Sequence, residues 1–490
     1  MKFLLSLFLK SKLSYLYYCP YIAFVLMVVA FTRLPFIRDL FLHRYPFIRD
    51  LFLHRYPFQE QVLNNIQNQL DRLLTLTKPT PPPVRKKTLC FIRLDIIGDY
   101  ILYRNFLPLF KKYFEDYEIT FIGNAIIKDM ATHCDSKYID KFIFLDNTYW
   151  EKYLRIGANG SHLSKLKELL FFLPKFMRKR YEDVSHLRKE SYEICINSSM
   201  FYFSTKEDAI IKHLIAENKV GVFCTHPIES LHRIRLRKET EIRKSFYTHL
   251  FYPKEVPQFL YDSNQDFFQS FFKHFKGVDI GFVELELKLP IAFEYEKFKN
   301  ILKPPYGVLN LGASDDFRAY KRFDEVIYFL NPDYQLVLCG NSKKDEKLAN
   351  SILKRHKNAI SLVNQTDLIE YLYLLKNASF AMGNESSIMH LSACLKIPYA
   401  FIVSSGLSSP RFHPYPKEVG PNIHMIYPRD FQKIISRSSN WMFKAMTMPH
   451  PPVDFVNPQD IISAIKRFAP HLLKEDALSN LKETTYFERV

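Results

Sequence analysis

The chain has 490 residues, of which 47% are hydrophobic, and a formal net charge of +17. This length exceeds what one hydrophobic core normally serves, so we expect two domains with extensions, and the hydrophobic fraction argues against a disordered protein. The basic excess indicates an anionic partner, such as a membrane surface or a phosphorylated substrate. Nucleic acid is not the expected partner, because the basic residues are dispersed and no nucleic-acid-binding module accompanies them.

The N-terminal residues 1–34 are predicted to be a hydrophobic, membrane-seeking helical segment. Within them, residues 13–31 are uncharged, largely apolar and just long enough to span a bilayer. Lysines precede this run and a denser series of arginines follows it, which would keep the main body cytoplasmic. An interfacial helix broken at Pro20 is the alternative, and the lack of a small-residue cleavage site disfavours a signal peptide.

Residues 35–84 contain an internal repeat followed by a linker. The sequence PFIRDLFLHRY occurs at 35–45 and again at 46–56. Its mixture of apolar and basic residues suits a helix on an anionic membrane, although such close identity also indicates a recent duplication. Residues 57–76 have amphipathic helical spacing, and the proline-rich residues 78–83 predict a stiff connection.

From residue 85 onward, strand-like and helix-like patterns alternate. Strands are predicted at 88–94, 118–124, 141–146, 192–197 and 219–223, with helices between them that include one at about 99–113 and a basic stretch at 160–190. Such alternation predicts a parallel sheet with helices on both faces. Residues 85–290 are therefore expected to form a first Rossmann-like domain.

A second series of the same kind follows a connection at 284–305. Strands are predicted near 306–314, 334–340, 359–363, 379–384 and 399–403, with helices at 323–331, 343–356, 367–376 and 386–396. Residues 291–470 are therefore expected to form a second Rossmann-like domain, with a tail at 471–490. A late helix near 458–472 could pack back on the first domain. The predicted fold is α/β, with the carboxyl ends of both sheets around one cleft.

The seven cysteines are dispersed and never form a Cys-x-x-Cys pair. Several lie in apolar runs that are typical of buried strands, such as TLCFIRL and LVLCG. We therefore expect buried, reduced thiols rather than a disulfide framework or a zinc site.

The first candidate motif is a strand-to-helix turn, Arg93-Leu-Asp95-Ile-Ile-Gly98-Asp99. Gly98 permits a close turn, and Asp99 is expected at the helix N-terminus, facing the cleft. A carboxylate there can act as the general base for an acceptor hydroxyl, or it can simply cap the helix. Spacing alone does not decide between a general base and a helix cap at Asp99. Asp95 and Gly98 are assigned to substrate binding.

The second motif begins the second domain, where a glycine-containing turn is followed by cations. Such a turn suits a diphosphate whose negative charge grows in the transition state. Lys321 is the predicted contact to that diphosphate, and a solvated lysine at a helix start is the alternative. The residues assigned to binding in this turn and after the next strand are Gly312, Ala313, Ser314 and Gly340.

The third motif, Gly383-Asn-Glu385-Ser386-Ser387-Ile-Met-His390, is again a strand end that enters a helix. Exposed amide groups and the hydroxyls of Ser386 and Ser387 predict an anion site. Glu385 is assigned to sugar or ribose hydroxyls. His390 is grouped with these binding residues, although a single histidine one turn into a helix is more often a packing residue.

Together the three motifs resemble glycosyltransferase family nine, the ADP-heptose:lipopolysaccharide heptosyltransferases. The family's D-x-x-G-D turn appears here as Asp95 to Asp99, its G-A-S segment as Gly312–Ser314 with Lys321, and its late run as Glu385 through Pro398. The resemblance covers roughly residues 85–430. Two departures, Glu385 for the family's Asp and Ser387 for its Gly, would reshape the donor pocket and put heptose itself in doubt.

The resemblance implies a GT-B fold and a metal-independent, inverting transfer. Asp99 would deprotonate the acceptor, while Lys321, Ser314 and the helix start at Ser386–Ser387 would stabilise the leaving diphosphate. No cofactor is expected, because the ADP-linked nucleotide sugar is a substrate. The sequence has no Asp-x-Asp triplet, which fits a mechanism without a metal ion.

The implied partners are a lipid-linked glycan acceptor of lipopolysaccharide type and the inner-membrane surface, with the enzyme at the cytoplasmic face. The basic stretches at 175–180 and 232–244 could meet acceptor or bilayer phosphates, and solvated faces are the equal alternative. A catalytically silent glycan-binding protein that keeps the fold is the rival function. The presence of Asp99 and Lys321 argues against it.

Overall fold

The computed structural model describes residues 70–77, 82–146, 175, 178–199, 206–223, 241–251, 258–289, 296–314, 316–448 and 450–475. The predicted hydrophobic segment at 1–34, with its apolar run at 13–31, and the repeat at 35–56 lie outside these residues. No helix within the described ranges has the length and apolar character needed to cross a bilayer.

The described residues fall into two compact units. The smaller unit contains helical residues 70–76 and 178–187. Leu70, Leu74 and Val184 are buried in it, while Leu76 is exposed, so residues 70–76 have the amphipathic character that the sequence predicts. The larger unit contains the described residues of 82–146 and 188–475.

The first sheet of the larger unit is entirely parallel. Its strands are β1 (Thr88–Arg93), β2 (Glu118–Asn124), β3 (Lys141–Leu145), β4 (Ser191–Asn197), β5 (Ile215–Val222) and β6 (His249–Phe251). The strand order is β3-β2-β1-β4-β5-β6, that of the doubly wound Rossmann fold. Five of these strands are predicted by the sequence, whereas the short β6 is not.

The described helices of this domain are α1 (Ile97–Arg104), α2 (Leu107–Tyr113), α3 (Lys128–Asp135), α4 (Glu207–Ile211) and α5 (Leu260–Lys276). The single helix predicted at about 99–113 is two helices. Pro108 lies in the first turn of α2, where its missing N–H costs nothing, and Asn105 donates to Ile101 O at 2.7 Å and so satisfies a terminal carbonyl of α1.

The helix α5 explains part of the abundance of phenylalanine. Its Phe268 stacks on Phe106 with ring centroids 4.7 Å apart, and its Phe272 lies 4.8 Å from Phe110. Burial of such aromatic rings dominates core energetics. The helix ends at Gly277, whose φ of +69° is the left-handed C-terminal conformation that glycine favours.

The second sheet repeats the topology of the first. Its strands are β7 (Tyr306–Asn310), β8 (Gln335–Cys339), β9 (Ala359–Ser361), β10 (Phe380–Asn384), β11 (Ala400–Val403) and β12 (Ile423–Ile426). They are parallel, in the order β12-β11-β10-β7-β8-β9. The prediction of two parallel-sheet α/β domains is confirmed.

The helices that follow α5 are α6 (Glu296–Lys299), α7 (Phe323–Ile327), α8 (Lys343–Leu353), α9 (Leu368–Lys376), α10 (Ser387–Cys394), α11 (Arg429–Arg437), α12 (Trp441–Thr447) and α13 (Pro458–Phe468). The helices α8 and α9 begin with complete capping boxes, Ser342 with Asp345 and Asp367 with Glu370. Each box satisfies two amides at a helix start, which explains why these two starts are predicted well.

The late helix α13 lies on the second domain and not on the first, contrary to expectation. Its Ile461 and Ile465 are buried in a core shared with Phe323 of α7 and Val403 of β11, because the apolar stripe of α13 faces the second sheet. After α13 the chain stays on the second domain, where Leu473 forms an antiparallel β-bridge with Leu330.

Two of the groups expected on a basic surface are buried. Arg243, in the stretch 232–244, is fully buried and forms an ion pair with Asp208 at 2.9 Å. Arg180, in the stretch 175–180, is 3% exposed. The five cysteines in the described residues are free and buried, as predicted for them.

Candidate active site

The first edge of the candidate site lies where β1 and β4 end. Because β1 and β4 pair in parallel, the turn after β1 and the start of α4 meet at one sheet edge. That edge brings together three acidic side chains, Asp95, Asp99 and Glu207.

Asp99 is the third residue of α1 and is 6% exposed. The N-cap residue is Ile96, so Asp99 does not occupy the capping position. Asp99 Oδ1 accepts a hydrogen bond from Arg411 at 2.7 Å. Burial raises the pKa of Asp99; Arg411 opposes this increase and the charge of Asp95 adds to it. Such a carboxylate is suited to accepting a proton.

Asp95 is paired with Arg93, the last residue of the strand that precedes it. Its Oδ2 lies 2.5 Å from Arg93 Nη2, and both side chains are nearly buried. Arg93 also donates to Ser198 at the end of β4, at 3.0 Å. This pairing ties Asp95 to the scaffold, and its assignment to substrate binding stays a prediction.

Glu207 is an acidic residue that sequence reasoning misses. It is the first residue of α4, is fully buried, and accepts a hydrogen bond from Leu94 N–H at 2.8 Å. Burial and the charge of Asp95 raise its pKa to about 7. The only signal in the sequence is a Lys-Glu-Asp triplet at the start of a short apolar helix, and no spacing relates it to the D-x-x-G-D turn.

The two domains of the larger unit touch at Gly98. It lies within α1 and not in the turn before it, and a Cβ there would lie 2.8 Å from His390 Cδ2. His390 is buried and its Nδ1 lies 2.5 Å from the Tyr415 hydroxyl. Burial lowers the pKa of His390 to about 3, with contributions from His413 and Arg411, so the ring is neutral. This location favours a packing role for His390.

The second edge of the candidate site lies where β10 ends. Asn384 donates to Leu311 O at 2.9 Å and accepts from Tyr320 N–H at 3.0 Å. One amide side chain therefore ties the end of β10 to the loop that follows β7. Glu385 and the start of α10 come next in the chain.

Glu385 is buried among groups that favour its charged form. Its Oε2 accepts from Ser404 Oγ at 2.5 Å and lies 3.2 Å from His413 Nε2, and its Oε1 lies 3.6 Å from Arg318. Burial alone would raise the pKa, but His413, Arg318 and Ser404 together lower it to about 2. Glu385 is therefore ionised at neutral pH.

The start of α10 carries the two predicted serines. Ser386 is the N-cap residue, its Oγ accepts from Asn310 at 3.3 Å, and it makes no side-chain bond to the first turn. Ser387 begins the helix, and both serines are half-buried. A helix start with amides of this kind attracts anions.

The loops after β7 and β8 are neighbours, because these strands pair. Gly312 N–H donates to Asn310 at 3.1 Å, Ala313 is half-buried and Ser314 is exposed. A Cβ at Gly340 would lie 2.7 Å from Asp345 Cβ, so this glycine permits the close approach of α8. The structure thus brings these predicted residues to the same sheet edge as Glu385.

Lys321 does not pair with the carboxylates of the site. Its side chain is 66% exposed and its Nζ lies 3.7 Å from Asp454. The cation beside Glu385 is Arg318, and the cation bonded to Asp99 is Arg411. Both arginines escape sequence reasoning, because no motif marks them. The contact of Lys321 with a diphosphate stays a prediction.

Within the described residues, no three His, Cys, Asp or Glu side chains are grouped as metal ligands are. The described arrangement offers a buried carboxylate of raised pKa on one edge, and an ionised glutamate with a helix start and cations on the other.

Comparisons with known proteins bear on the family and the fold. Residues 247–414 match the model of glycosyltransferase family 9 (heptosyltransferase). A family 9 glycosyl transferase structure from Veillonella parvula is similar at 15% identity, over 79% of this chain and 98% of that one, with a TM-score of 0.53. The heptosyltransferase WaaC of E. coli with ADP is similar at 12% identity, over 79% and 99% of the two chains, with a TM-score of 0.48. No curated protein matches.

The likeness to the Veillonella parvula structure establishes a common fold of two α/β domains. The family match covers the end of the first domain and much of the second, including Glu385, Arg411 and the start of α10. The resemblance to glycosyltransferase family 9 is therefore confirmed over residues 247–414, which match the heptosyltransferase family model.

Proposed function

We propose that this protein is an inverting glycosyltransferase that moves a heptose-like sugar from an ADP-linked donor to a lipopolysaccharide core or related surface glycan. The observation that carries the proposal is Asp99, a buried carboxylate of raised pKa whose Oδ1 is bonded to Arg411 of the second domain. The family description supports sugar transfer.

Asp99 is the proposed general base. Arg411 occupies Oδ1, so the acceptor hydroxyl would hydrogen-bond to Oδ2. The hydroxyl oxygen attacks the anomeric carbon from the face opposite the nucleotide, its proton passes to Asp99, and the bond to the diphosphate breaks with inversion. A positioned base of this kind accelerates a reaction by roughly 10²- to 10⁴-fold.

The second edge is proposed to receive the leaving diphosphate. The start of α10 at Ser386 and Ser387, the loop from Gly312 to Ser314, and the cations Arg318 and Lys321 supply dipoles and positive charge. These groups support a transfer that needs neither a metal ion nor a cofactor, since fixed charges stabilise the departing anion. Ionised Glu385 would accept hydroxyls of the sugar or ribose.

The proposed location is the cytoplasmic face of the inner membrane, with a lipid-linked acceptor. The apolar run at 13–31 and the net charge of +17 support this location.

Radiolabelled transfer tests the proposal. The full chain is incubated with labelled ADP-heptose and a truncated core acceptor, with Asp99→Ala as the control. We expect label in the acceptor with the unaltered chain and none above background with the variant. Binding of the glycan without transfer would instead identify a catalytically silent binding protein.

A further inference from the structure

We infer that Glu207 is a positioning residue for Asp99: it fixes the turn that carries Asp95 and Asp99 and sets the charge around them. This inference rests on the proposed role of Asp99 as base. Neither the three sequence motifs nor the family match, which begins at residue 247, includes Glu207.

Leu94, directly before Asp95, is held through both its N–H and its carbonyl by side chains of neighbouring elements. Glu207 Oε1 accepts its N–H at 2.8 Å from the β4 side, and Asn124 donates to its carbonyl at 3.2 Å from the β2 side. The position at which β1 turns into α1 is therefore fixed by the last residue of β2 and the first residue of α4. Catalytic groups need such fixing, because small displacements are costly in rate.

The second carboxyl oxygen of Glu207 is in an unfavourable environment. Glu207 Oε2 is buried and has no hydrogen-bond partner among the described residues. A buried carboxylate oxygen without a partner is unfavourable, so the group favours its protonated form. Glu207 Oε1 keeps the Leu94 bond in either state, because it is an acceptor in both.

Charged groups of both signs surround Glu207. Asp95 and Arg93 face it from the β1 turn and Lys206 precedes it, while its other neighbour, Asp208, is paired with Arg243. The charge of Asp95 raises the pKa of both Glu207 and Asp99. The three carboxyl groups therefore form one electrostatic unit. When Glu207 loses its proton, the added negative charge strengthens Asp99 as a base.

Two variants separate the geometric role from the charge. Glu207→Gln keeps a carbonyl oxygen for the Leu94 bond and loses the titration, whereas Glu207→Ala loses both. Glu217→Gln is the matched control, because Glu217 is an exposed glutamate on β5 that pairs with Lys86. All are made in the full chain, and kcat and KM for ADP-heptose are measured between pH 5.5 and 9.

With the unaltered chain, we expect kcat/KM to rise through an inflection at about 7, the pKa of Glu207. Glu207→Gln should lose this inflection, and Glu207→Ala should in addition lower kcat by roughly 10- to 100-fold with little change in KM. The control should follow the unaltered profile. A Glu207→Gln profile that superimposes on the unaltered one would overturn the charge role.

Hydrogen exchange gives a readout that is independent of activity. Amide exchange of the segment 94–99 should accelerate at least tenfold in Glu207→Ala and stay unchanged in Glu207→Gln and the control, since only alanine removes the acceptor for Leu94 N–H. Unchanged exchange in Glu207→Ala would overturn the positioning role. A chain that transfers no sugar but shows this exchange pattern would refute the proposed function alone.

Discussion

Glu207 and Glu385 occupy comparable places in the two domains, yet they have opposite proton affinities. Each is a buried glutamate near the carboxyl edge of its sheet, at 0% and 3% exposure. The pKa of Glu207 is raised to about 7, and that of Glu385 is lowered to about 2. Burial acts against the charge in both, so the difference comes from their neighbours.

The neighbours indicate what each edge is suited to do. Glu385 has His413, Arg318 and Ser404 around it, all of which stabilise a carboxylate. Glu207 accepts a hydrogen bond from the Leu94 amide, and the charges of Lys206 and Arg93 do not outweigh burial and the like charge of Asp95. The first edge is thus suited to exchanging protons and the second to holding fixed charge, which are the two requirements of a transfer between a hydroxyl and a diphosphate-linked sugar.

The largest effect that tests this division is expected from Asp99→Asn. The amide cannot accept the acceptor proton, so kcat should fall by roughly 10²- to 10⁴-fold while the fold persists. Steady-state transfer assays measure the loss, and far-ultraviolet circular dichroism checks the fold. A variant that retains more than about a tenth of the activity would exclude Asp99 as the general base.

The next largest effect is expected from Glu385→Gln, which should lower the free energy of unfolding. Removing the charge leaves Arg318 and His413 without their buried partner, which should cost about 3 kcal/mol in the free energy of unfolding at neutral pH. Because the folded pKa of Glu385 is depressed to about 2 from 4.5, this contribution is present above pH 4.5 and is lost as the pH falls toward 2.

Urea unfolding at several pH values measures that difference, with exposed Glu418→Gln as the matched control. The gap between the unaltered chain and Glu385→Gln should narrow below pH 4.5. A gap that is constant with pH would show that the charge of Glu385 is not what stabilises this edge.

A smaller effect on the free energy of unfolding is expected from Gly98→Ala, which tests the contact between Gly98 of the first domain and His390 of the second. Alanine normally stabilises a helix relative to glycine, but here its Cβ would lie 2.8 Å from the buried ring of His390. We expect a loss of about 1–3 kcal/mol in unfolding free energy. In a His390→Ala background the same change should be neutral or stabilising, and a double-mutant cycle by urea unfolding measures this coupling. Equal effects in both backgrounds would contradict the contact.

The smallest effect is expected from Glu207→Gln, on how the free energy of unfolding depends on pH. Since the folded pKa of Glu207 is raised to about 7 from 4.5, its stability contribution is full below pH 4.5 and is lost as the pH rises to about 7. Glu207→Gln should therefore gain stability relative to the unaltered chain between pH 5 and 8, on the order of 1–2 kcal/mol. Thermal unfolding measures it, and a difference that falls with rising pH would refute the raised pKa.

The sequence predicts the sheets of this protein better than its site. Strands such as β1 and β8 are continuous apolar runs bounded by polar turns, and such runs are visible without any tertiary information. By contrast, β6 is a three-residue strand that begins with His249 and is only half-buried, and the split between α1 and α2 depends on the position of one proline. Local pattern is too weak a signal for either feature.

The site residues divide in the same way. Asp99 and Glu385 follow predicted strands and belong to recognisable motifs. Arg411 reaches Asp99 from 312 positions away in the chain, and Glu207 reaches Leu94 from 113 positions away. Such contacts depend on how the strands are ordered and how the two domains meet. Only the folded structure contains that information.

The burial of Arg243 limits how charge removal can be interpreted in this protein. Replacing every cation of the stretch 232–244 with a neutral residue is the obvious way to ask whether that stretch recruits the enzyme to anionic lipid. Arg243 has no exposed surface and neutralises Asp208 inside the domain, so its loss would unfold the local structure and imitate a recruitment defect. A mutagenesis series that spares Arg243 would report on lipid attraction, whereas one that includes it would report on folding.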